Sequence, residues 1–346
     1  MKKVVTGISI LSLGLLLLLA GCGGAGEKPA SSSSSTPASG AASQPAQLPE
    51  IKMVVFNPPS LGAFLPPIIQ HNKFDEKNGI RINFTERDTD AYNNEFASGQ
   101  YPVGGSAALL SEANRMDKGV KVTYLFNLFN YWGTVVSAKP EIKTIKDLEN
   151  KNLAAAKSTT NYAMFAYFAK KAGVDLNNMS VLNAGTAALN TYASADRADG
   201  VQLWEPGYST LINNNQGKFH EVDFGIDRWK EYTGSERIPY LGVAAHQDWV
   251  EANQELIPKL YKTYVDAAKW IKDHPKEAAD LIAKKIPGGK PEVIQQLIAN
   301  NDRLGMDVTP SSALVKDIQA VFQAGLDIGY IKKMPDESII YKGKLD

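Results

Sequence analysis

The chain has 346 residues, of which 44% are hydrophobic, and its 37 Lys and Arg side chains balance 37 Asp and Glu side chains. This length is enough for two lobes of ordinary domain size with cores of their own. The balanced charge, without a basic stripe interleaved with aromatic residues, argues against nucleic acid as a partner. The single cysteine excludes an internal disulfide.

The N-terminus has the pattern of a secretory signal peptide, which we place at residues 1–21. Two lysines precede an apolar run at 8–20, and small residues follow it. The run is shorter than the roughly 20 residues of a transmembrane helix. The motif Leu19-Ala20-Gly21-Cys22 resembles the lipobox of bacterial lipoproteins. That resemblance implies cleavage before Cys22, a diacylglycerol thioether on its sulfur, an acyl group such as palmitate on its amine, and a lipid anchor.

Residues 22–50 predict a flexible tether. They are rich in Ser, Ala, Pro and Gly and have almost no apolar bulk, so they cannot bury enough surface to offset their ordering entropy. Cleavage would remove two of the 37 basic residues and leave a net charge of about −2. We therefore expect an extracytoplasmic protein, lipid-anchored to the outer face of the cell membrane.

From residue 51 the pattern alternates short β-type runs with helical stretches. We predict strands at 51–56, 80–84, 120–126, 133–138, 152–156 and 199–203. We predict helices at 64–77, 90–98, 107–116, 162–172, 258–273, 276–286, 291–300 and 311–328, the third of them opened by Gly104-Gly105-Ser106. Such alternation predicts an α/β fold with a mainly parallel sheet.

Three motifs, taken in order, resemble a known family. They are the segments 104–109 (GGSAAL), 145–154 (IKDLENKNLA) and 199–206 (DGVQLWEP). With the lipobox in front, the chain resembles the solute-binding lipoproteins of ABC importers in the nitrate, sulfonate and taurine group (SsuA/THI5-like). In fold it also resembles proteins that bind thiamine-pyrimidine precursors.

The resemblance implies a two-lobed type II periplasmic-binding-protein fold with a ligand cleft between the lobes. We place lobe I at 51–128 plus 241–346 and lobe II at 129–240, and hinge closure around ligand is the expected motion. The expected partners are a small-molecule solute and the permease and ATPase subunits of an importer. We expect a monomer that binds without catalysis; a ligand sensor is the alternative role.

Two arguments nominate the same four loops for ligand binding. Ligands of open α/β sheets lie at the carboxyl ends of strands, and the family resemblance points to the same positions. The loops begin at Asn57, Gly104, Lys157 and Trp204. Two of them open predicted helices, whose free N–H groups and dipole favour anions. Plain helix capping is the alternative for Ser and Thr in these loops.

The remaining candidates are aromatic or charged. Trp204 either stacks on a flat ligand or packs in the core, and Lys157 either meets an anion or faces solvent. Glu205 either binds an amine or forms an interlobe or surface ion pair. The full set of predicted substrate-binding residues is Asn57, Pro58, Gly104, Gly105, Ser106, Asn130, Tyr131, Lys157, Thr159, Thr160, Tyr162, Trp204, Glu205 and Tyr240.

These signals favour a small organic acid of sulfonate type, with a zwitterion such as an aminosulfonate satisfying both charges. A thiamine-precursor pyrimidine or another amine or heteroaromatic is the alternative ligand. The four His residues are scattered without metal-ligand spacing, so we expect neither a metal nor a cofactor. No nucleophile elbow is present, and no cysteine remains for nucleophilic catalysis once Cys22 is acylated.

Overall fold

Two β-sheets organise the part of the chain that the computed structural model describes, residues 48–345. The signal peptide predicted at 1–21, the lipidation site Cys22 and most of the tether predicted at 22–50 lie outside the described residues. Within residues 48–345, no helix combines the length and the apolar character that crossing a bilayer requires.

The two sheets use eleven strands. In chain order these are β1 (Glu50–Phe56), β2 (Arg81–Arg87), β3 (Val103–Ala108), β4 (Val122–Asn130), β5 (Thr134–Ser137), β6 (Asn152–Ala155), β7 (Ser180–Asn183), β8 (Gly200–Leu203), β9 (His220–Val222), β10 (Pro239–His246) and β11 (Met306–Pro310). The first sheet has the order β11-β4-β10-β3-β1-β2, and the second has the order β7-β6-β8-β5-β9.

Both sheets are mixed, which corrects the prediction of a mainly parallel sheet. Strand β1 is parallel to β2 and β3, and β6 is parallel to β7 and β8. Strand β10 runs antiparallel to β3 and β4, and β5 runs antiparallel to β8 and β9. Strand β11 also runs antiparallel to β4. The chain passes between the sheets twice, after Asn130 before β5 and ahead of Pro239, where β10 begins.

Helices cover the sheets. They are α1 (Pro66–Asn72), α2 (Phe74–Lys77), α3 (Thr89–Ala97), α4 (Leu109–Asp117), α5 (Thr160–Lys171), α6 (Leu189–Ser194), α7 (Gly207–Asn214), α8 (Trp229–Thr233), α9 (Gln247–Ala252), α10 (Leu256–Asp273), α11 (Pro275–Ala283), α12 (Pro291–Ala299), α13 (Asn301–Leu304) and α14 (Val315–Asp327). The single helix predicted at 64–77 is two helices, because Lys73 adopts a left-handed conformation with φ of 53°. That conformation ends α1.

Two clusters of buried side chains form the core. The larger one includes Phe126 of β4 and Tyr264 of α10 and also Val135 and Leu153 from the second sheet. The smaller cluster includes Val136, Trp204 and Tyr208. Successive residues of β5 therefore point into different clusters, as expected for a strand covered on both faces.

Strand β3 contradicts the prediction that Gly104-Gly105-Ser106 opens a helix. All six residues of β3 are buried, and α4 begins only at Leu109. A Cβ added at Gly104 would lie 2.4 Å from Tyr92 Oη, and one at Gly105 would lie 2.5 Å from Met53 Sδ. The glycines are therefore required because neighbouring side chains press against this central strand.

Candidate functional site

A cavity lies where the carboxyl ends of the parallel strands of both sheets meet. On the side of the first sheet it is lined by Phe56, Asn57, Pro58, Pro59, Ser60, Thr89, Asn93, Ala108, Ser111 and Tyr240. On the side of the second sheet it is lined by Ser158, Thr159, Thr160, Asn161, Thr186, Ala187 and Trp204. The position follows the rule that ligands of open α/β sheets bind beyond the carboxyl ends of strands.

The two sides of the cavity lie close together in this structure. The space open to water between them is about 40 Å³, which holds only a few water molecules. Hydrogen bonds join the sides directly. Ser111 Oγ and Thr160 Oγ1 are 3.1 Å apart, and Asn161 Nδ2 donates to Tyr240 Oη over 2.8 Å. The structure therefore corresponds to a closed cleft.

The cavity is polar but uncharged. None of the lining side chains, taken over the described part of the chain, carries a formal charge. Hydroxyl and amide groups alternate with the apolar surfaces of Phe56 and Trp204. Such walls bind a small ligand through a few oriented hydrogen bonds and through contact with its apolar part.

Helix α5 points its N-terminus at the cavity. Thr159 is the N-cap, and its Oγ1 accepts a hydrogen bond from Tyr162 N over 3.3 Å. Thr160 and Asn161 occupy the first turn, where backbone N–H groups have no partner within the helix. These N–H groups and the helix dipole favour a negatively charged or oxygen-rich ligand group.

Asn161 has an unused acceptor. Its side chain is buried, and Oδ1 has no hydrogen-bond partner among the described residues. Its backbone carbonyl accepts from Gln202 Nε2 over 2.8 Å, which fixes the residue on the second sheet. A buried polar atom of this kind is normally satisfied by water or by a ligand.

Glu205 lies outside the cavity. Its side chain is 1% exposed, and Oε1 accepts hydrogen bonds from Arg303 Nη2 over 2.6 Å and from Ser209 Oγ over 2.9 Å. Burial raises the pKa of Glu205, while Arg303 and Ser209 act in the opposite direction. Glu205 therefore forms the ion pair given as one of its two alternatives, and its carboxylate does not line the cavity.

The predicted residues divide between the cavity and its surroundings. Those that line it are Asn57, Pro58, Thr159, Thr160, Trp204 and Tyr240. Gly104, Gly105 and Ser106 lie within β3, where Ser106 Oγ accepts from Phe56 N over 2.9 Å. Asn130 donates to Asp307 and Tyr131 packs on Tyr240, both beside the passage between the sheets. Lys157 is exposed, and Tyr162 faces Phe165.

Several lining residues were missed by sequence reasoning. Thr89 and Asn93 are spaced four apart on α3, and Ser111 lies in the first turn of α4. Their spacing places Thr89 and Asn93 on one helix face. The four-residue spacing is visible in the sequence. Polar residues at that spacing on a helix more often face solvent, so the spacing did not identify these two as lining a cavity.

Over the described residues, no group of three or more His, Cys, Asp or Glu side chains is arranged to hold a metal ion.

Solved structures show the same fold. The periplasmic aliphatic sulphonate binding protein SsuA from Escherichia coli matches with a TM-score of 0.69 and 16% identity, covering 85% of this chain and 92% of that one. The alkanesulfonate-binding protein SsuA from Xanthomonas axonopodis pv. citri, bound to MOPS, matches with a TM-score of 0.71 and 15% identity, covering 86% of this chain and 99% of that one. A Candida albicans protein with the generic periplasmic binding protein fold matches with a TM-score of 0.62 and 14% identity, covering 84% of this chain and 94% of that one.

These likenesses establish a two-lobed α/β periplasmic-binding-protein fold of type II. No curated protein matches the sequence with significance. The family model described as NMT1/THI5 like matches residues 70–278, more than half of the chain. The chain therefore belongs to the NMT1/THI5-like family.

Proposed function

We propose that this chain is the extracytoplasmic substrate-binding protein of an ABC importer and that its cavity holds a small organic acid of sulfonate type. The observation that carries the proposal is the uncharged cavity at the N-terminus of α5, lined by hydroxyl and amide groups. The fold is the one used by the sulfonate-binding proteins of Escherichia coli and Xanthomonas axonopodis.

The lining chemistry suits a ligand rich in hydrogen-bond acceptors. A sulfonate has three oxygens and no proton to donate near neutral pH, so it can accept from serine, threonine and backbone N–H groups at once. The first turn of α5 adds positive dipole character without a full charge. Phe56 and Trp204 provide an apolar surface for the carbon part of the molecule. A bare inorganic anion has nothing to place there.

The second candidate ligand is an amine or an aminopyrimidine. The unused Oδ1 of Asn161 favours a ligand that also donates a hydrogen bond. With Glu205 paired to Arg303, the cavity offers such a ligand no carboxylate. Taurine combines both features, because its sulfonate accepts and its ammonium donates.

The setting of the protein forms part of the proposal. We infer a signal peptide at 1–21, lipidation at Cys22 and a tether that holds two lobes, 51–128 plus 241–346 and 129–240, near a permease and its ATPase. The lobes bind solute reversibly, without turnover, and release it on docking. Metabolic labelling with a palmitate analogue tests the anchor, and Cys22→Ser must abolish the label.

Thermal unfolding of the purified protein with a ligand panel tests the binding role. The panel contains ethanesulfonate, taurine, nitrate and an aminopyrimidine. A ligand that binds only the folded state at a hundredfold excess over Kd adds about 2.7 kcal/mol to stability. We expect stabilisation by ethanesulfonate or taurine and little by nitrate. Stabilisation by the aminopyrimidine alone would replace the sulfonate assignment, and a response to none of them would refute it.

A further inference from the structure

A buried ion pair lies directly behind the cavity. Arg115 and Glu112 are one turn apart on α4, their side chains are 7% and 0% exposed, and Arg115 Nη1 donates to Glu112 Oε1. The guanidinium also lies over the rings of Tyr92 and Phe96, at 5.8 and 5.2 Å from their centroids. Arg115 is therefore held on several sides, and its position is set by the fold.

The same guanidinium contacts a residue of the cavity wall. Arg115 Nη2 donates to Asn93 Oδ1 over 2.5 Å, and Asn93 lines the cavity. Arginine has five donors and no acceptor, so only the oxygen end of the Asn93 amide can face it. Turning the amide around would place two N–H groups against a cation. The Nδ2 end of Asn93 is therefore the end that Arg115 leaves free.

Stability alone does not account for this arrangement. Well-packed apolar residues of similar volume usually replace a buried ion pair at no cost and often with a gain. Glu112 Oε2 is moreover buried without a partner among the described residues, so the pair is not an optimised structural network. What the pair provides that apolar residues would not is a fixed cation against the oxygen of Asn93.

We propose that Arg115, held by Glu112, is a positioning residue that orients the Asn93 amide so that its N–H groups face the ligand. Asn93 then acts as a donor, and the part of the ligand that meets Asn93 is selected for hydrogen-bond acceptors over donors. This inference rests on the proposed function, because it names the residue that sets the selectivity of the proposed site. It adds a specificity determinant that touches no ligand.

The test replaces the ion pair without leaving a charge unpaired. In the variant Glu112→Met with Arg115→Met, flexible apolar side chains fill the space. Calorimetric titrations use ethanesulfonate, which only accepts, and ethanesulfonamide, which also donates. We expect the affinity for ethanesulfonate to fall about tenfold and that for ethanesulfonamide less than about threefold. An equal loss for both probes would mean a purely structural role and would overturn the proposal.

A control is available in a half-buried ion pair that joins β2 to α3. Arg87 Nε donates to Glu95 Oε2 over 2.8 Å, and neither residue lines the cavity. The variant Arg87→Met with Glu95→Met makes the same chemical change, and the ratio of the ethanesulfonate and ethanesulfonamide affinities must stay at the wild-type value.

A double-mutant cycle adds a second criterion. On an Asn93→Ala background, Glu112→Met with Arg115→Met must change ethanesulfonate affinity less than about twofold, since Arg115 acts through Asn93.

A ligand-free measurement separates this proposal from the proposed function. If wild-type protein binds neither probe, the sulfonate assignment fails, and the ¹³Cγ resonance of Asn93 decides the positioning. Loss of a charged donor to the amide oxygen must move that resonance upfield in Glu112→Met with Arg115→Met. The resonance must not move in the control, Arg87→Met with Glu95→Met. An unmoved resonance would overturn the positioning role whatever the ligand is.

Discussion

The guanidinium of Arg303 lies 2.6 Å from the carboxylate of Glu205 and joins α13, just before β11 of the first sheet, to the end of β8 in the second. Arg303 also lies over the rings of Trp132 and Tyr208, at 4.9 and 4.3 Å from their centroids. This ion pair therefore ties the two sheets together at a point outside the cavity.

Removal of Arg303 is expected to destabilise the protein in a pH-dependent way. Arg303→Met leaves the buried carboxylate of Glu205 without its cation, which costs about 3 kcal/mol at pH 7. Burial already raises the pKa of Glu205, and loss of Arg303 raises it further. When an acid has a higher pKa in the folded state than in the unfolded state, the free energy of unfolding falls as the pH rises from the lower pKa to the higher one. The destabilisation measured by urea unfolding should therefore be smaller at pH 5 than at pH 7.

Glu205→Gln is the control for that titration. Glutamine keeps an acceptor for Arg303 and Ser209 but cannot ionise, so adding it to Arg303→Met should remove the extra pH dependence. If Arg303→Met were equally destabilising at both pH values, Glu205 would not be the group that responds.

The N-cap of α5 is expected to affect both stability and binding. Thr159→Ala removes the hydroxyl that accepts from Tyr162 N, which costs about 1 kcal/mol of stability. The first turn of α5 faces the cavity, so ethanesulfonate affinity should fall as well. Urea unfolding and calorimetry measure the two effects. Thr159→Ser keeps the capping oxygen, so it should retain most of the stability and most of the ethanesulfonate affinity. If Thr159→Ser lost as much affinity as Thr159→Ala, capping would not be the cause.

Tyr240→Phe tests the contact between the two sides of the cavity. Without Tyr240 Oη, the buried Nδ2 of Asn161 loses its acceptor, and an unpaired buried donor costs about 1–3 kcal/mol. Tyr131 packs on Tyr240, and its hydroxyl has no hydrogen-bond partner among the described residues. Tyr131→Phe is therefore the matched control, with an expected change in unfolding free energy below about 0.5 kcal/mol. If Tyr240→Phe and Tyr131→Phe lowered the free energy of unfolding by similar amounts, loss of the hydrogen bond from Asn161 would not be the cause.

Gly105→Ala tests the packing of β3. The added Cβ would lie 2.5 Å from Met53 Sδ and 2.9 Å from Val55 Cγ1, and overpacking of this kind costs about 1–3 kcal/mol. Gly185→Ala is the comparison, because nothing lies within 4 Å of its Cβ and its φ of −66° suits alanine. We expect Gly185→Ala to change the free energy of unfolding by less than about 0.5 kcal/mol. Equal stability of the two variants would show that β3 and its neighbours accommodate the added methyl group without a cost in stability.

Local patterns in the sequence predicted much of the fold and part of the site. The apolar run before Asn57 predicted β1, and Thr159 was recognised where a strand gives way to a helix. Both depend on neighbours within a few residues, which a single sequence displays directly. The two arguments from strand ends and from family resemblance agreed on loops, and three of those four loops contribute to the cavity.

The errors come from information that is distant in the chain. Val103–Ala108 consists mostly of small residues with weak β-propensity, and it is a strand because it pairs with β1 and β10, which are distant in the chain. For Glu205 an ion pair was one of the two alternatives, but its partner Arg303 lies 98 residues away and could not be named from the sequence. The role of Asn93 likewise depends on Arg115, which lies on the next helix.

Strand β10 has a consequence for how the polypeptide matures. It lies between β3 and β4, yet it follows the whole second sheet in the chain. Until it emerges, β3 and β4 each have an unpaired edge, and the first lobe has no complete sheet. The long-range pairing makes early folding slow. A nascent polypeptide of this topology thus stays unfolded longer than one whose first domain closes on itself.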